Sequence, residues 1–142
     1  GGHSAGGHLA AMMLARDWRA DGFAACPVSA GYSLSGVHDL RPLVRFSGNA
    51  DFRLDDVEAA RLSPALVRPT SAAPLAIAVG GAETGEFLRQ SQLMWDAWPA
   101  NRPRGMAGPL VAPGRHHFDV VVEHGDGESA LTRALLALFG PA

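Results

Sequence analysis

The opening residues, Gly1-Gly2-His3-Ser4-Ala5-Gly6-Gly7-His8, restrict the fold of this chain more than any other stretch. Gly2, Ser4 and Gly6 spell Gly-x-Ser-x-Gly, and the helix-forming apolar run Leu9-Ala10-Ala11-Met12-Met13-Leu14-Ala15 follows at once. That is the setting of a nucleophile elbow, in which a strand turns sharply into a helix and holds a strained serine hydroxyl above the sheet. Side chains at Gly2 or Gly6 are expected to collide with neighbouring backbone, and Gly7 to let the helix lie close on the sheet. The helix start adds electrostatics: its free N–H groups face the place where negative charge grows on an attacked carbonyl, and the N–H of Ala5 is the first oxyanion donor. Two other glycine-loop readings fail. The spacing of a G-x-G-x-x-G dinucleotide loop is absent, and all 12 basic residues are arginine, so no lysine exists for a Walker-type phosphate loop.

Composition narrows the partners. With 142 residues, 47% of them hydrophobic, and a net charge of -2, the chain has the make-up of one globular domain. Its arginines are dispersed rather than blocked together, which argues against nucleic acid, and no long apolar run suggests a membrane span. A lone cysteine, Cys26, cannot form an internal disulfide and reads as a small core residue in a reducing, cytoplasmic setting.

Periodicity predicts a first helix over Ala5–Arg16 with its small residues on the sheet, a buried strand over Phe23–Tyr32, and a loop over Ser35–Leu40. A charged, Pro-punctuated insertion runs from Arg41 to Ala73, with a short helix near Asp55–Leu62 whose Asp55 and Glu58 have capping-box spacing. Such an insertion above a sheet either walls a substrate pocket or is a plain surface excursion. Pro74–Gly81 is the clearest strand, Glu86–Trp98 an amphipathic helix, Leu110–Ala112 the last strand, and Leu131–Phe139 the closing helix.

A serine hydrolase needs a nucleophile, a base beside it and a carboxylate that fixes the base's tautomer. The chain supplies Ser4, then Asp39 and Glu83, each just after a predicted strand, then His116 and His117 in the loop after the next one. Serine, acid, histidine is the chain order of the α/β-hydrolase fold. His3 with His8, and His116, His117 with Asp119, lack metal-ligand spacing, so no metal is expected.

The segments Gly2–His8, Ser35–Leu43, Leu62-Ser63-Pro64, Gly80–Glu83, Glu86–Ser91 and His117-Phe118 together resemble the bacterial kynurenine formamidase (arylformamidase) branch of the α/β hydrolases over almost the whole chain. The resemblance implies hydrolysis of N-formyl-L-kynurenine to L-kynurenine and formate, without a cofactor, with Ser4 as nucleophile, His117 as base and Glu83 as acid. Asp39 and His116 stay open as alternatives. A short-chain carboxylesterase on the same residues, or a catalytically silent fragment, would share these features.

It also implies the C-terminal half of a mostly parallel sheet flanked by helices, residues 1–142 being part of a single α/β-hydrolase domain whose N-terminal strands lie elsewhere. The second oxyanion donor of that fold comes from a His-Gly-Gly type loop that this sequence does not contain. Losing one such donor costs about a hundred- to a thousandfold in rate. The expected partners are a small aryl formamide or ester, the missing N-terminal half, and a second copy of the chain in a homodimer. Alone, the chain is expected to fold poorly and to be inactive.

Overall fold

A computed structural model describes residues 1–140 of the chain. Its centre is β3 (Leu75–Gly80), buried along its whole length. A strand alternates its side chains between two faces, so an unbroken apolar run needs cover on both. One cover is α1 (Ala5–Ala15) with α4 (Gly85–Ala97): Ala11, Leu14, Met94 and Trp95 pack on Leu75 and Ile77. On the opposite face Ala76 and Ala78 join Tyr32, Leu34, Val120 and Leu131, the last of these from α5 (Ala130–Ala137).

The sheet has four strands in the order β1-β2-β3-β4, with β1 at Gly2–His3, β2 at Gly31–Leu34 and β4 at Leu110–Ala112. Every pair is parallel: His3 lies beside Leu34, Leu34 beside Ala78, and Gly80 beside Ala112. All four C-terminal ends therefore open onto one rim. In open α/β sheets that rim is where ligands bind. Among the described residues β1 pairs only with β2, and its other edge carries no strand. No helix among them is long and apolar enough to cross a membrane.

Residues 23–30 do not join the expected strand. Pro27 has no N–H to give to a ladder, and Phe23, 48% exposed, packs edge-on against Trp18 instead. Pairing starts at Gly31, whose N–H donates to the Pro74 carbonyl at 2.8 Å. Cys26 and Val28 still lean on the core from this irregular segment, and the Cys26 thiol, in no disulfide, donates to the Val28 carbonyl at 3.6 Å.

The insertion carries a 3-10 turn at Arg41–Arg45, the short helices α2 (Asn49–Phe52) and α3 (Asp56–Arg61), and a second 3-10 turn at Pro64–Leu66. The Glu58 N–H donates to the Asp55 carboxylate at 2.7 Å, capping α3 as the spacing predicts. In α4 the buried face differs from the apolar stripe expected there, because Gln90 and Ser91 are buried alongside Met94 and Trp95.

Candidate active site

Ser4 sits between β1 and α1 with φ 56 and ψ -118, a region that costs a non-glycine residue about 1–3 kcal/mol. Its N–H donates to the Leu34 carbonyl at 2.9 Å, and its own carbonyl accepts from the N–H groups of Gly7 and His8, so the turn is pinned on both sides. Gly2 is required sterically: a Cβ there would lie 2.6 Å from the Gly6 backbone. Gly7 is required too, since its Cβ would meet the Ser33 hydroxyl at 2.5 Å where α1 rests on β2. The expectation for Gly6 fails, because a Cβ at that position would point into open space. Ala5 opens α1, so its N–H has no partner within the helix.

Glu83 and His117 reach Ser4 from the next strand ends. The Gly81 N–H donates to the Ala112 carbonyl and the Ala82 N–H to the Arg115 carbonyl, both at 2.8 Å, which ties the turn after β3 to the loop after β4. The Glu83 side chain has no exposed surface, and its Oε2 lies 2.7 Å from His117 Nδ1. His117 Nε2 in turn lies 3.1 Å from Ser4 Oγ. A carboxylate can only accept, so Nδ1 carries the proton and Nε2 presents its lone pair to the serine. Oε1 of the same carboxylate accepts from the Gly80 N–H at 2.8 Å and from the Ser35 hydroxyl.

The imidazole of His117 is gripped on its faces as well. Phe87 stacks on it at 4.1 Å between centroids and 24° between planes, and the His3 ring lies 4.5 Å away, tilted by 40°. Burial, and then the neighbouring His117, push the pKa of His3 below its usual value, so His3 stays neutral next to the base.

The structure does not bring Asp39 or His116 into this group. The Asp39 carboxylate accepts from the Arg41 guanidinium at 2.9 Å through both its oxygens, and that hydrogen-bonded partner holds its pKa below the usual carboxylate range. His116 is turned outward, more than half exposed, with its Nε2 3.3 Å from Asp119. His8 Nε2 is spent on the Leu62 carbonyl at 2.8 Å. Among the described residues no group of three or more His, Cys, Asp or Glu is arranged to hold a metal.

Sequence reasoning missed Ser35, Phe87 and Gln90. The Gln90 amide accepts from the N–H groups of His38 and Asp39 and donates to the Asp39 carbonyl at 2.9 Å, fixing the loop after β2 to α4. The available signal was the Glu-Phe-x-x-Gln-Ser helix start, whose Phe and Gln turn out to hold the imidazole and that loop. Beside Ser4 lies a cavity of about 440 Å³ lined by Ala5, His8, Val37, Leu40, Leu43, Phe46, Phe52 and Leu54, so the insertion does wall a space over the serine.

Fold and site together define a parallel α/β protein with a strained serine, a histidine and a buried carboxylate in hydrogen-bonded series at one sheet rim. No family model matches the chain. Kynurenine formamidase of Salmo salar is 31% identical to it, and that of Danio rerio 29%, in each case over 98% of this chain and 48% of the relative. A solved structure from Silicibacter sp. TM1040, a proposed thioesterase, superposes with a TM-score of 0.75 at 35% identity over 95% of this chain and 48% of that one. These similarities make the chain kynurenine formamidase-like, and it spans about half the length of the curated relatives it matches.

Proposed function

We propose that this chain carries the reacting serine, base and acid of an α/β-hydrolase-fold serine hydrolase, and that its reaction is the hydrolysis of N-formyl-L-kynurenine to L-kynurenine and formate. The observation that carries the proposal is the series Ser4 Oγ, His117 Nε2, His117 Nδ1, Glu83 Oε2, with separations of 3.1 and 2.7 Å, built on a strained serine. The named relatives support the choice of substrate.

Ser4 Oγ attacks the formyl carbon as His117 Nε2 takes its proton. Charge gathers on the formyl oxygen, toward the Ala5 N–H and the start of α1. His117 then gives the proton to the aryl nitrogen, the C–N bond breaks, and the arylamine leaves a formyl ester on Ser4. Water, deprotonated by His117, attacks that ester; the serine recovers its proton and formate departs. Glu83 stays ionised and stabilises the imidazolium at each proton transfer.

In this reading residues 1–142 are the C-terminal part of one domain, and the uncovered edge of β1 receives the strands of the N-terminal half, which also supply the second oxyanion donor. Association as a homodimer is compatible with it. A cytoplasmic location fits the single unpaired cysteine.

A second reading is an esterase acting on short-chain esters with the same residues. The apolar cavity of about 440 Å³ next to Ser4 has room for an acyl chain as well as for the aryl group of a formamide. Measuring kcat/KM for N-formyl-L-kynurenine against p-nitrophenyl acetate and butyrate tests both. Formamidase action predicts a preference for the formamide, and a rate that climbs with acyl length would select the esterase.

A further inference from the structure

We infer that Ser35 is a positioning residue for the acid of this site, holding Glu83 so that one carboxylate oxygen always faces His117. The inference rests on the proposed roles of Ser4, His117 and Glu83. Ser35 follows β2 directly, is fully buried, and adopts φ 51, a positive φ found among the described non-glycine residues only at Ser4 and Arg53 besides. Serine gains nothing from that conformation, which glycine or asparagine enters more readily. Its N–H donates to the Ala78 carbonyl at 2.7 Å, so the backbone is anchored to β3 while the side chain is turned along the rim.

What the turn achieves is the hydrogen bond from the Ser35 hydroxyl to Glu83 Oε1. With the Gly80 N–H on the same oxygen at 2.8 Å, Oε1 is fully engaged, and Oε2 is left with His117 Nδ1 at 2.7 Å as its partner. A carboxylate without exposed surface needs donors to remain ionised, and hydrogen bonds to the charged form supply that stabilisation. Ser35 therefore does two things. It locks the rotation of the carboxylate, and it draws negative charge toward Oε1, which tempers the pull on the His117 proton.

The test uses the intact protein with Ser35→Ala and Ser35→Gly, and Ser4→Ala as control. The Ala variant deletes the hydroxyl and keeps the backbone strain that serine already carries; the Gly variant deletes it and relieves that strain, so a fold defect and a lost hydrogen bond are told apart. We expect both to lower kcat about tenfold to a hundredfold with little change in KM, the range that loss of one hydrogen bond to a charged group supports. We also expect the acid limb of the kcat/KM profile to move to higher pH, because the less stabilised carboxylate holds the imidazolium more tightly. A purely structural serine would shift the unfolding midpoint and leave that limb in place. A Ser35→Gly protein with wild-type kcat and an unmoved acid limb overturns the inference, provided Ser4→Ala is inactive. Turnover that survives in Ser4→Ala overturns the underlying reading itself.

Discussion

Replacing Glu83 with glutamine tests the site with the smallest change of shape. The two oxygens of Glu83 do different things: Oε1 accepts from Gly80 and Ser35, while Oε2 accepts from His117. An amide has one oxygen and one NH2 group, and two donors already converge on the Oε1 position. The carbonyl oxygen of the glutamine must therefore settle there, leaving its NH2 group against His117 Nδ1. Nδ1 can meet a donor only as an acceptor, so the ring is forced into the tautomer that carries its proton on Nε2, facing Ser4 at 3.1 Å. A base already protonated on the reacting side cannot take the serine proton. The analogous carboxylate-to-amide change in a serine protease drops kcat about ten-thousandfold, which corresponds to about 5 kcal/mol of barrier. We expect a loss of that order in kcat for N-formyl-L-kynurenine, with the fold unaltered. Asp39→Asn, which disturbs contacts with Arg41 and Arg89 and touches none of Ser4, His117 and Glu83, should cost less than about tenfold in kcat. A Glu83→Gln enzyme within tenfold of wild type, or an Asp39→Asn enzyme that is crippled, would refute the assignment.

Other outcomes follow from the same geometry. Ser4→Ala should abolish turnover and stoichiometric labelling by an organophosphate while leaving the circular dichroism spectrum unchanged; labelling that persists would move the nucleophile elsewhere. His38 is buried with its pKa pushed from 6.5 down to about 3, first by burial and then by His8. The unfolded chain therefore takes up the proton first, and the stability is complete above about pH 6.5 and is lost as pH falls toward 3, by about 1.4 kcal/mol per unit. By pH 5 this amounts to about 2 kcal/mol, which His38→Gln should remove from the slope; urea unfolding at pH 7 and pH 5 that gives parallel slopes for the two proteins would contradict it. Residues 1–142 expressed alone should be associated or loosely folded and inactive, and should gain activity when the N-terminal half of the domain is added in trans; a monodisperse, fully active monomer would show that the proposed half-domain is wrong.

The parts of the site that local chemistry dictates were legible in the sequence. Gly2 and Gly7 announce the turn at Ser4 because only glycine leaves room there, and Pro74–Gly81 announces β3 because only a strand covered on both faces is apolar throughout. Their places just after strands brought Glu83 and His117 forward only together with Asp39 and His116, and the family resemblance singled them out. Strand position cannot separate Glu83 from Asp39, because both follow strands; in the structure Glu83 is the carboxylate beside His117, while Arg41, two residues on, takes the Asp39 carboxylate. Apolar character alone misplaced the start of β2, since Phe23 to Ala30 look like strand while hydrogen bonding, which composition does not carry, begins at Gly31. Ser35 was invisible for the same reason, and Phe87 was marked only by the Glu-Phe-x-x-Gln-Ser helix start: a buried serine donor and a ring on an imidazole are products of three-dimensional juxtaposition.

The hydrogen bond between Ser4 and His117 joins residues 113 apart in sequence, whereas Ser35 meets Glu83 across 48 and Glu83 meets His117 across 34. Closing a longer loop costs more chain entropy and must wait until the intervening strands have docked in order. The Ser4–His117 contact is therefore expected to form only when all three strand pairings are in place, since its two ends follow β1 and β4, the outermost strands of the sheet. With Ser4 as the proposed nucleophile, organophosphate labelling would then serve as a clock for the end of folding, lagging the recovery of backbone dichroism. A single protease cut between α2 and β3 would stop that clock without touching any of the three reacting side chains.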